Sequence, residues 1–342
     1  MNKRVLRADI LLLLTAGIWG FGFVAQRSGM EYTGPFAFNG IRFILGSLSL
    51  LPLIFVRRKA SGVMRKATGA DKYFSAKKII CYSLAAGGCL FTAVILQQFG
   101  IMFTTAGNAG FITGLYVVLT PVFGIFLGKR TGPATWLGSA LTLIGLYFLC
   151  AVGHLDSINP GDIITVASAV FWTCHVLLID RLVQDMDPIV LSAGQFAVCG
   201  VLAFIGAFFA EPWIMPLTER INPALLEMGT FAWLPFPALL SGLHNQTIAF
   251  PVDALIPILY GGLGSVGIAY TLQVVAQRDA PPAHATIILC FEGCFAALGG
   301  VLLLSEKIGR WTLLGFFLML AGMLVTQWEV VARNSEQIKN EK

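Results

Sequence analysis

Two stretches of this chain, ADILLLLTAGIWG at residues 8–20 and GDIITVASAVFWT at residues 161–173, decide its fold because they repeat one pattern. In both, an aspartate is followed by an apolar run that leads to a tryptophan. The match continues without a gap over residues 8–55 and 161–208, at a constant offset of 153 residues. Its identical pairs include Asp9 with Asp162, Ile10 with Ile163, Ala16 with Ala169, Trp19 with Trp172, Pro35 with Pro188 and Phe43 with Phe196. We infer that the chain is built from two similar halves.

A second alignment, at an offset of 177 residues, extends the repeat towards the end of each half. It matches Ala106 with Ala283, Gly138 with Gly315 and Gly145 with Gly322. From the two alignments we predict a first repeat over residues 1–155, a second repeat over residues 156–330 and a tail over residues 331–342. The second repeat carries a proline-rich insertion at residues 211–250.

The composition predicts an all-α integral membrane protein. Hydrophobic residues make up 56% of the chain and charged residues only 12%, with a mean hydropathy of +0.78, whereas soluble domains carry about 25% charged residues. The apolar blocks are Ile10–Gln26, Pro35–Val56, Ile79–Gly128, Thr131–Leu155, Ile163–Ile179, Pro188–Ala210, Ala254–Gln277, Ala280–Ser305 and Trp311–Trp328. A transmembrane helix needs about 20 residues, so Ile79–Gly128 holds two helices, divided at Thr104–Asn108. This predicts ten transmembrane helices.

The basic residues predict the orientation. With a cytoplasmic N-terminus, 18 of the 23 Lys and Arg residues fall inside and only four fall outside, as the positive-inside rule requires. The four outside are Arg27, Arg220, Lys307 and Arg310. Both termini are therefore predicted to be cytoplasmic. Because five helices per half is an odd number, the two five-helix repeats are predicted to be inverted relative to each other, in a multi-pass protein of the cell membrane. We therefore attribute the net charge of +5 to basic residues on the cytoplasmic side of the membrane. Nucleic-acid binding is not predicted.

Several motifs recur in a fixed order along the two halves. They are TAGIWGFGFVAQ at residues 15–26, the Pro-x6-Arg-Phe of Pro35–Phe43, TTAGNAGFITGLYVVLTPVFG at 104–124 and FEGCFAALGGVLLLSEKI at 291–308. In these features the chain resembles the EamA-like branch of the drug/metabolite transporter superfamily, over about residues 8–330. The resemblance implies transport of metabolites, amino acids or drug-like compounds, often as export. Gly293 stands where many relatives have a proline that kinks the helix, and the 211–250 insertion is longer than is usual in the family.

Polar side chains at helical spacing predict a cavity, because such residues in a membrane face the bundle interior or water. Such stripes occur on the first, second, fourth, sixth, seventh and eighth predicted helices. From the stripes and the charged residues we select as candidate substrate-binding or coupling residues Trp19, Asn39, Arg42, Tyr116, Trp172, His175, Gln195, Tyr270, Gln273 and Glu292. Small polar residues in these stripes have an alternative role as contacts between helices.

Glu292 is the most informative of these residues. Counted from Pro281, it lies about 16 Å into the bilayer at 1.5 Å per residue, where an ionised side chain costs roughly 3 kcal/mol. It must therefore be protonated, paired or in water. Two interpretations stay open: a carboxylate that couples transport to protons, or a permanent ion pair or hydrogen bond that fixes the packing.

The other candidates also have two interpretations each. Arg42 is able to bind a carboxylate or phosphate of a substrate, or to pair with Glu292 or with free carbonyl groups. His175 titrates near neutrality and is suited to relay protons, or it is a hydrogen-bonded core residue. Trp19, Trp172 and Tyr116 are able to stack on an apolar or cationic substrate, or they pack the core. His284 is expected at the cytoplasmic interface.

The sequence carries no motif for ATP binding, for hydrolytic catalysis or for a metal site, so no cofactor and no metal are predicted. A secondary active transporter working by alternating access is the function predicted, with a small-molecule substrate and protons or another ion for coupling. Two alternatives stay open: a membrane scaffold or sensor without transport, and an intramembrane enzyme acting on lipid. A homodimer is also left open.

Overall fold

The structure is a computed structural model that describes residues 3–30, 33–68, 76–104, 106–129, 131–151, 160–210, 252–304 and 309–340. These residues form ten helices and no strand. The five helices of the first half are α1 (Lys3–Met30), α2 (Pro35–Thr68), α3 (Ala76–Phe103), α4 (Ala106–Thr113 and Tyr116–Phe126) and α5 (Pro133–Leu146, continued by a π-helical turn at Tyr147–Ala151). Those of the second half are α6 (Pro160–Leu182), α7 (Pro188–Phe209), α8 (Val252–Leu259, Tyr260–Tyr270 and Thr271–Ala276), α9 (Pro282–Leu289 and Glu292–Leu304) and α10 (Arg310–Asn340).

The helices confirm a multi-pass membrane protein. Eight of the ten described helices are long and apolar enough to cross a bilayer, and the other two, α5 and α9, are shorter apolar helices. Large apolar side chains such as Phe126 and Trp328 are more than three-quarters exposed on the outer surface, where lipid would contact them. The predicted division between α3 and α4 is confirmed, because α3 ends at Phe103 and α4 begins at Ala106. The 211–250 insertion lies outside the described residues.

Two helices are interrupted at corresponding positions of the repeat, to within one residue at the offset of 177. In α4 the break is at Gly114–Leu115, where the N–H of Leu115 donates to the carbonyl of Ile112. In α9 the break is at Cys290–Phe291, where the N–H of Phe291 donates to Ile288. These bonds span three residues, as in a 3₁₀ turn, and tighten the helix locally. The interruption in α9 therefore forms with a glycine, Gly293, and not a proline after Glu292.

Two pairs of equivalent helices, α5 with α10 and α2 with α7, pack antiparallel. Gly138 and Gly145 of α5 contact Gly322 and Gly315 of α10, so that the lower number on one helix meets the higher number on the other. In the same way, Phe36 near the start of α2 contacts Gly206 near the end of α7. An offset of 177 residues converts the Gly138–Gly322 contact into the Gly315–Gly145 contact. The interface of α5 and α10 is therefore self-complementary, as a two-fold relation between the halves requires.

Equivalent hydrogen bonds hold the two halves against each other. Thr15 of α1 donates its hydroxyl to the carbonyl of Ala269 in α8, at 3.1 Å. Its repeat partner Ser168 in α6 donates to the carbonyl of Ala93 in α3, at 2.9 Å. Each bond joins one half of the chain to the other half, and the central helices α1, α3, α6 and α8 surround the space between them.

Candidate functional site

A small cavity lies between the two halves, with about 40 Å³ open to the centre of a water-sized sphere. Helices α1, α3 and α4 of the first half and α6, α8 and α9 of the second half contribute to its lining. The lining residues are Trp19, Gln26, Gln97, Thr113, Tyr116, Trp172, Val176, Ser265, Tyr270, Gln273, Leu289 and Glu292. Six of the ten candidate residues from the sequence are among them.

Aromatic rings form one wall of the cavity, with Tyr270 at the centre. The ring centroid of Trp19 lies 4.5 Å from that of Tyr270, and the two rings are tilted by 59°. The ring of Trp172 lies 6.0 Å away from Tyr270 on a nearly parallel plane, at 15°. Since Trp19 and Trp172 occupy equivalent repeat positions, each half of the chain contributes one tryptophan to the same wall.

The π-helical segment of α8 fixes Trp19 in place. The indole N–H of Trp19 donates to the carbonyl of Ser265 at 3.3 Å, and the hydroxyl of Tyr260 donates to the carbonyl of Ile18 at 2.7 Å. Both carbonyl acceptors belong to helix backbone, so α1 and α8 are held together on either side of the tryptophan. π-Helical segments of this kind are frequent at functional sites.

Close packing of α1 on α9 brings Glu292 to the cavity. A Cβ atom on Gly20 would lie 2.7 Å from the carbonyl oxygen of Glu292 and 2.6 Å from Cβ of Phe295. Only glycine allows this approach at position 20. Glu292 is the first residue of the second segment of α9, where the helix N-terminus favours a negative charge. Its side chain is partly buried and has no ion pair with any Lys or Arg that the structure describes.

Two glutamines, Gln97 and Gln273, face the cavity from equivalent helices. Gln97 donates its amide to Thr113 at 3.1 Å, and Gln273 donates to Gln277 at 3.1 Å. Gln97 was not among the predicted residues. The signal that identifies it is the shared pattern A-x-x-L-Q at residues 93–97 and 269–273, which aligns at an offset of 176 residues.

His175 and Gln195 lie behind the aromatic wall and do not line the cavity. Their side chains are fully buried, and Nε2 of His175 lies 2.9 Å from Oε1 of Gln195. The Trp172 ring and the imidazole meet nearly at right angles, with ring centroids 6.0 Å apart. This pair therefore supports Trp172 from the side away from the cavity.

Arg42 and Asn39 also lie outside the cavity lining. The Nε–H of Arg42 donates to Oδ1 of Asn39 at 2.9 Å, and the guanidinium lies 5.1 Å from the ring centroid of Phe43. Phe43 in turn packs on Tyr270 at 5.9 Å. In this structure Arg42 is held by an amide and by aromatic rings, and no ion pair joins it to Glu292 among the described residues.

Polar contacts between the halves lie at the ends of α1 and α6. Nε2 of His284 in α9 lies 2.9 Å from Oδ1 of Asp9 in α1. The repeat partner of Asp9, Asp162 in α6, accepts a hydrogen bond of 2.5 Å from the hydroxyl of Thr104 after α3. His284 was expected at the interface, but its side chain is only 1% exposed, because α1 packs over it and supplies the carboxylate.

The described residues outside the cavity offer no candidate metal site and no disulfide bond. Groups of three or more His, Cys, Asp and Glu side chains that would suit a metal ion are absent from this part of the chain. The six cysteines whose side chains are described form no disulfide bond. Cys290 and Cys294 are buried among apolar neighbours in α9, so they pack as small apolar residues.

One protein family matches both halves of the chain. The model of the EamA-like transporter family matches residues 6–151 and 159–328, one copy in each half. An uncharacterized transporter of Archaeoglobus fulgidus is 26% identical over 326 residues, covering 95% of this chain and 87% of the relative. The uncharacterized inner membrane transporter YedA of Escherichia coli is 24% identical, covering 68% of this chain and 81% of the relative.

A solved structure has the same fold. A protein known from a crystal structure superposes with a TM-score of 0.68 at 18% identity, and the alignment covers 96% of this chain and 98% of that one. At this identity the likeness concerns the fold alone.

Proposed function

Because this chain belongs to the EamA-like transporter family, we propose that it is a secondary active transporter that exports a small organic metabolite, amino acid or drug-like solute across the cell membrane by alternating access. The family makes the chain a membrane transporter and not an enzyme. The observation that carries the proposal is the cavity between the two halves, to which helices of both halves contribute. A site at such an interface becomes accessible from either side when one half moves against the other.

In this proposal the two halves, residues 1–155 and 156–330, are inverted five-helix repeats. The antiparallel packing of α5 on α10 and of α2 on α7 supports the inversion. The excess of Lys and Arg supports a cytoplasmic location of both termini, including the tail at residues 331–342. The location in the cell membrane agrees with the name of the inner membrane relative from Escherichia coli.

The polar contacts at the ends of α1 and α6 supply a means of alternation. Asp9 with His284 joins the halves at one end, and Asp162 with Thr104 joins them at the other. With inverted repeats the two contacts lie towards opposite faces of the membrane. Breaking one while keeping the other opens the cavity to one side only, which is the requirement of alternating access.

Glu292 is the proposed coupling group. It is the only acidic residue among the cavity-lining residues, so it is the group there whose charge changes when a proton or a solute binds. Trp19, Tyr116, Trp172, Tyr270 and Gln273 form the solute-binding surface with it. Arg42, Asn39, His175 and Gln195 act from behind the aromatic wall as positioning residues.

Exchange in proteoliposomes tests this function. Purified protein is reconstituted with a pH-sensitive dye inside, and a panel of amines, amino acids, carboxylates and neutral metabolites is added outside. We expect at least one solute to move protons across the membrane in wild-type vesicles and not in Glu292→Gln vesicles. If no solute on the panel moves, with or without a pH gradient, while the protein is folded and inserted, a scaffold or sensor is the better description.

A further inference from the structure

The charge of the cavity indicates what it binds. The lining residues include one carboxylate, Glu292, and no Lys, Arg or His. The described cation in the neighbouring part of α2, Arg42, is directed towards Asn39 and the rings of Phe38 and Phe43. An anion in this cavity would meet a carboxylate without a basic partner, whereas a cation would meet its counter-charge.

A hydrogen-bond acceptor without a described donor belongs to Gln273, another of the lining residues. The amide of Gln277 donates to the carbonyl of Val176 at 3.0 Å, and a carbonyl only accepts, so this bond fixes which side of Gln277 carries oxygen. That oxygen receives the amide N–H of Gln273. Oε1 of Gln273 is then left as a buried acceptor, and no described residue donates to it.

The aromatic wall suits the same kind of ligand. A cation within about 6 Å of an aromatic ring centroid is attracted by the ring, most strongly by tryptophan. Trp19 and Trp172 reach the cavity from the two halves, and Tyr116 and Tyr270 complete the set. The indole N–H of Trp172 has no partner among the described residues.

We propose, on the premise of the transport function above, that the solute is a small organic cation with a protonated primary or secondary amine. Its N–H groups donate to the carboxylate of Glu292 and to Oε1 of Gln273, and its apolar body lies against Trp19 and Trp172. The ammonium pairs with the ionised form of Glu292, so a carboxyl that carries a proton must release it as the cation binds. One ammonium is exchanged for one proton, and the charge inside the cavity stays balanced.

Binding to four compounds of one shape tests the class. The probes are 2-phenylethylammonium, its N,N,N-trimethyl derivative, 2-phenylethanol and 3-phenylpropanoate, measured by calorimetry on purified protein in detergent. We expect the two cations to bind, and the alcohol and the carboxylate to bind about tenfold more weakly or not at all, since a hydrogen-bonded charge pair is lost. Equal or tighter binding of the carboxylate or the alcohol overturns the proposal, and so does an absence of binding by 2-phenylethylammonium to folded protein.

Two variants separate charge from hydrogen bonding. Glu292→Gln should weaken both cations about tenfold or more. Gln273→Leu should weaken 2-phenylethylammonium several-fold but leave the trimethyl compound unchanged, because that compound has no N–H to donate. Glu329→Gln makes the same chemical change as Glu292→Gln in α10, where Glu329 accepts from Thr135, and it should leave both affinities as in the wild type. Unchanged binding in Glu292→Gln overturns the proposal.

Binding and exchange are read separately so that the two proposals fail in different ways. Ammonium binding that depends on Glu292, without proton exchange in proteoliposomes, supports the ligand class and contradicts the transport function. Proton-coupled exchange of carboxylates or neutral solutes, without binding of the ammonium compound, supports transport and overturns the ligand class. Variants that unfold are recognised by their melting in detergent, and the order of the four affinities in the wild-type protein then tests the ligand class without them.

Discussion

Gly138 of α5 and Gly322 of α10 lie so close together that a Cβ atom on either one would stand within 2.7 Å of the carbonyl oxygen of the other. Backbone meets backbone at this point, as in other membrane helix pairs that use small residues at their contact. The repeat produces the same contact a second time, between Gly145 and Gly315. These two contacts explain why each helix carries a pair of glycines seven residues apart.

The first prediction concerns this contact. Gly138→Ala places a methyl group 2.7 Å from the carbonyl of Gly322 and from a methyl carbon of Thr326, so we expect a loss of about 1–3 kcal/mol in stability. Thermal unfolding in detergent measures it. Gly88→Ala in α3 is the matched control, because a Cβ there has nothing within 4 Å, and its melting temperature should not fall. Equal melting of the two variants would contradict the role of close contact.

The second prediction separates the two equivalent tryptophans. Trp19→Phe removes a hydrogen bond to Ser265 and should lower the stability by about 1 kcal/mol. Trp172→Phe removes an N–H that has no described partner, so it should lower the stability less than Trp19→Phe, which makes the same change in volume and also breaks a hydrogen bond. The measurement is the melting temperature of both variants. A larger loss of stability in Trp172→Phe than in Trp19→Phe would show that the indole of Trp172 has a structural partner.

The third prediction concerns the ends of the cavity. Asp9→Asn weakens the contact with His284, and Asp162→Asn weakens the contact with Thr104. If these contacts close opposite sides, Asp9→Asn should increase access from the cytoplasm and Asp162→Asn access from outside. The expected change is about tenfold, since a hydrogen bond to a charged group contributes roughly 1.5–3 kcal/mol.

Access is measured as maleimide labelling of Ser265→Cys with an impermeant reagent, in vesicles of each orientation and with the native cysteines replaced. Asp185→Asn is the control, because the Asp185 side chain is 51% exposed and pairs with Lys78 at the surface, where such pairs contribute little. An increase from the same side in both test variants would exclude alternating closure by these contacts.

The fourth prediction concerns orientation. A fluorescent protein fused after residue 342 should fold and fluoresce, because the tail is proposed to be cytoplasmic. An alkaline phosphatase fused within the 211–250 insertion should be active, because that segment is proposed to lie outside. Fusions of both reporters at both positions serve as mutual controls, and the opposite pattern would reverse the orientation proposed from the basic residues.

Much of the fold was predictable because it depends on local patterns. The ten helices follow from apolar blocks of membrane length, and the start of α4 follows from the small polar residues after α3. The interruption of α9 was not predicted, since a glycine, Gly293, and not a proline follows Glu292. The burial of His284 was not predicted either, because the carboxylate beside it comes from Asp9, 275 residues earlier in the chain.

The sequence by itself determined that this protein has two related halves, that its helices cross a membrane, and that Trp19, Trp172 and Glu292 are unusual within them. Periodicity and the cost of charge in lipid are properties of single segments, so they can be read without the fold. Only the tertiary structure decided which polar residues share a cavity and which lie behind its wall, as Arg42 and His175 do. Helix spacing gives the face on which a side chain lies, but the partner of that face depends on how distant helices pack.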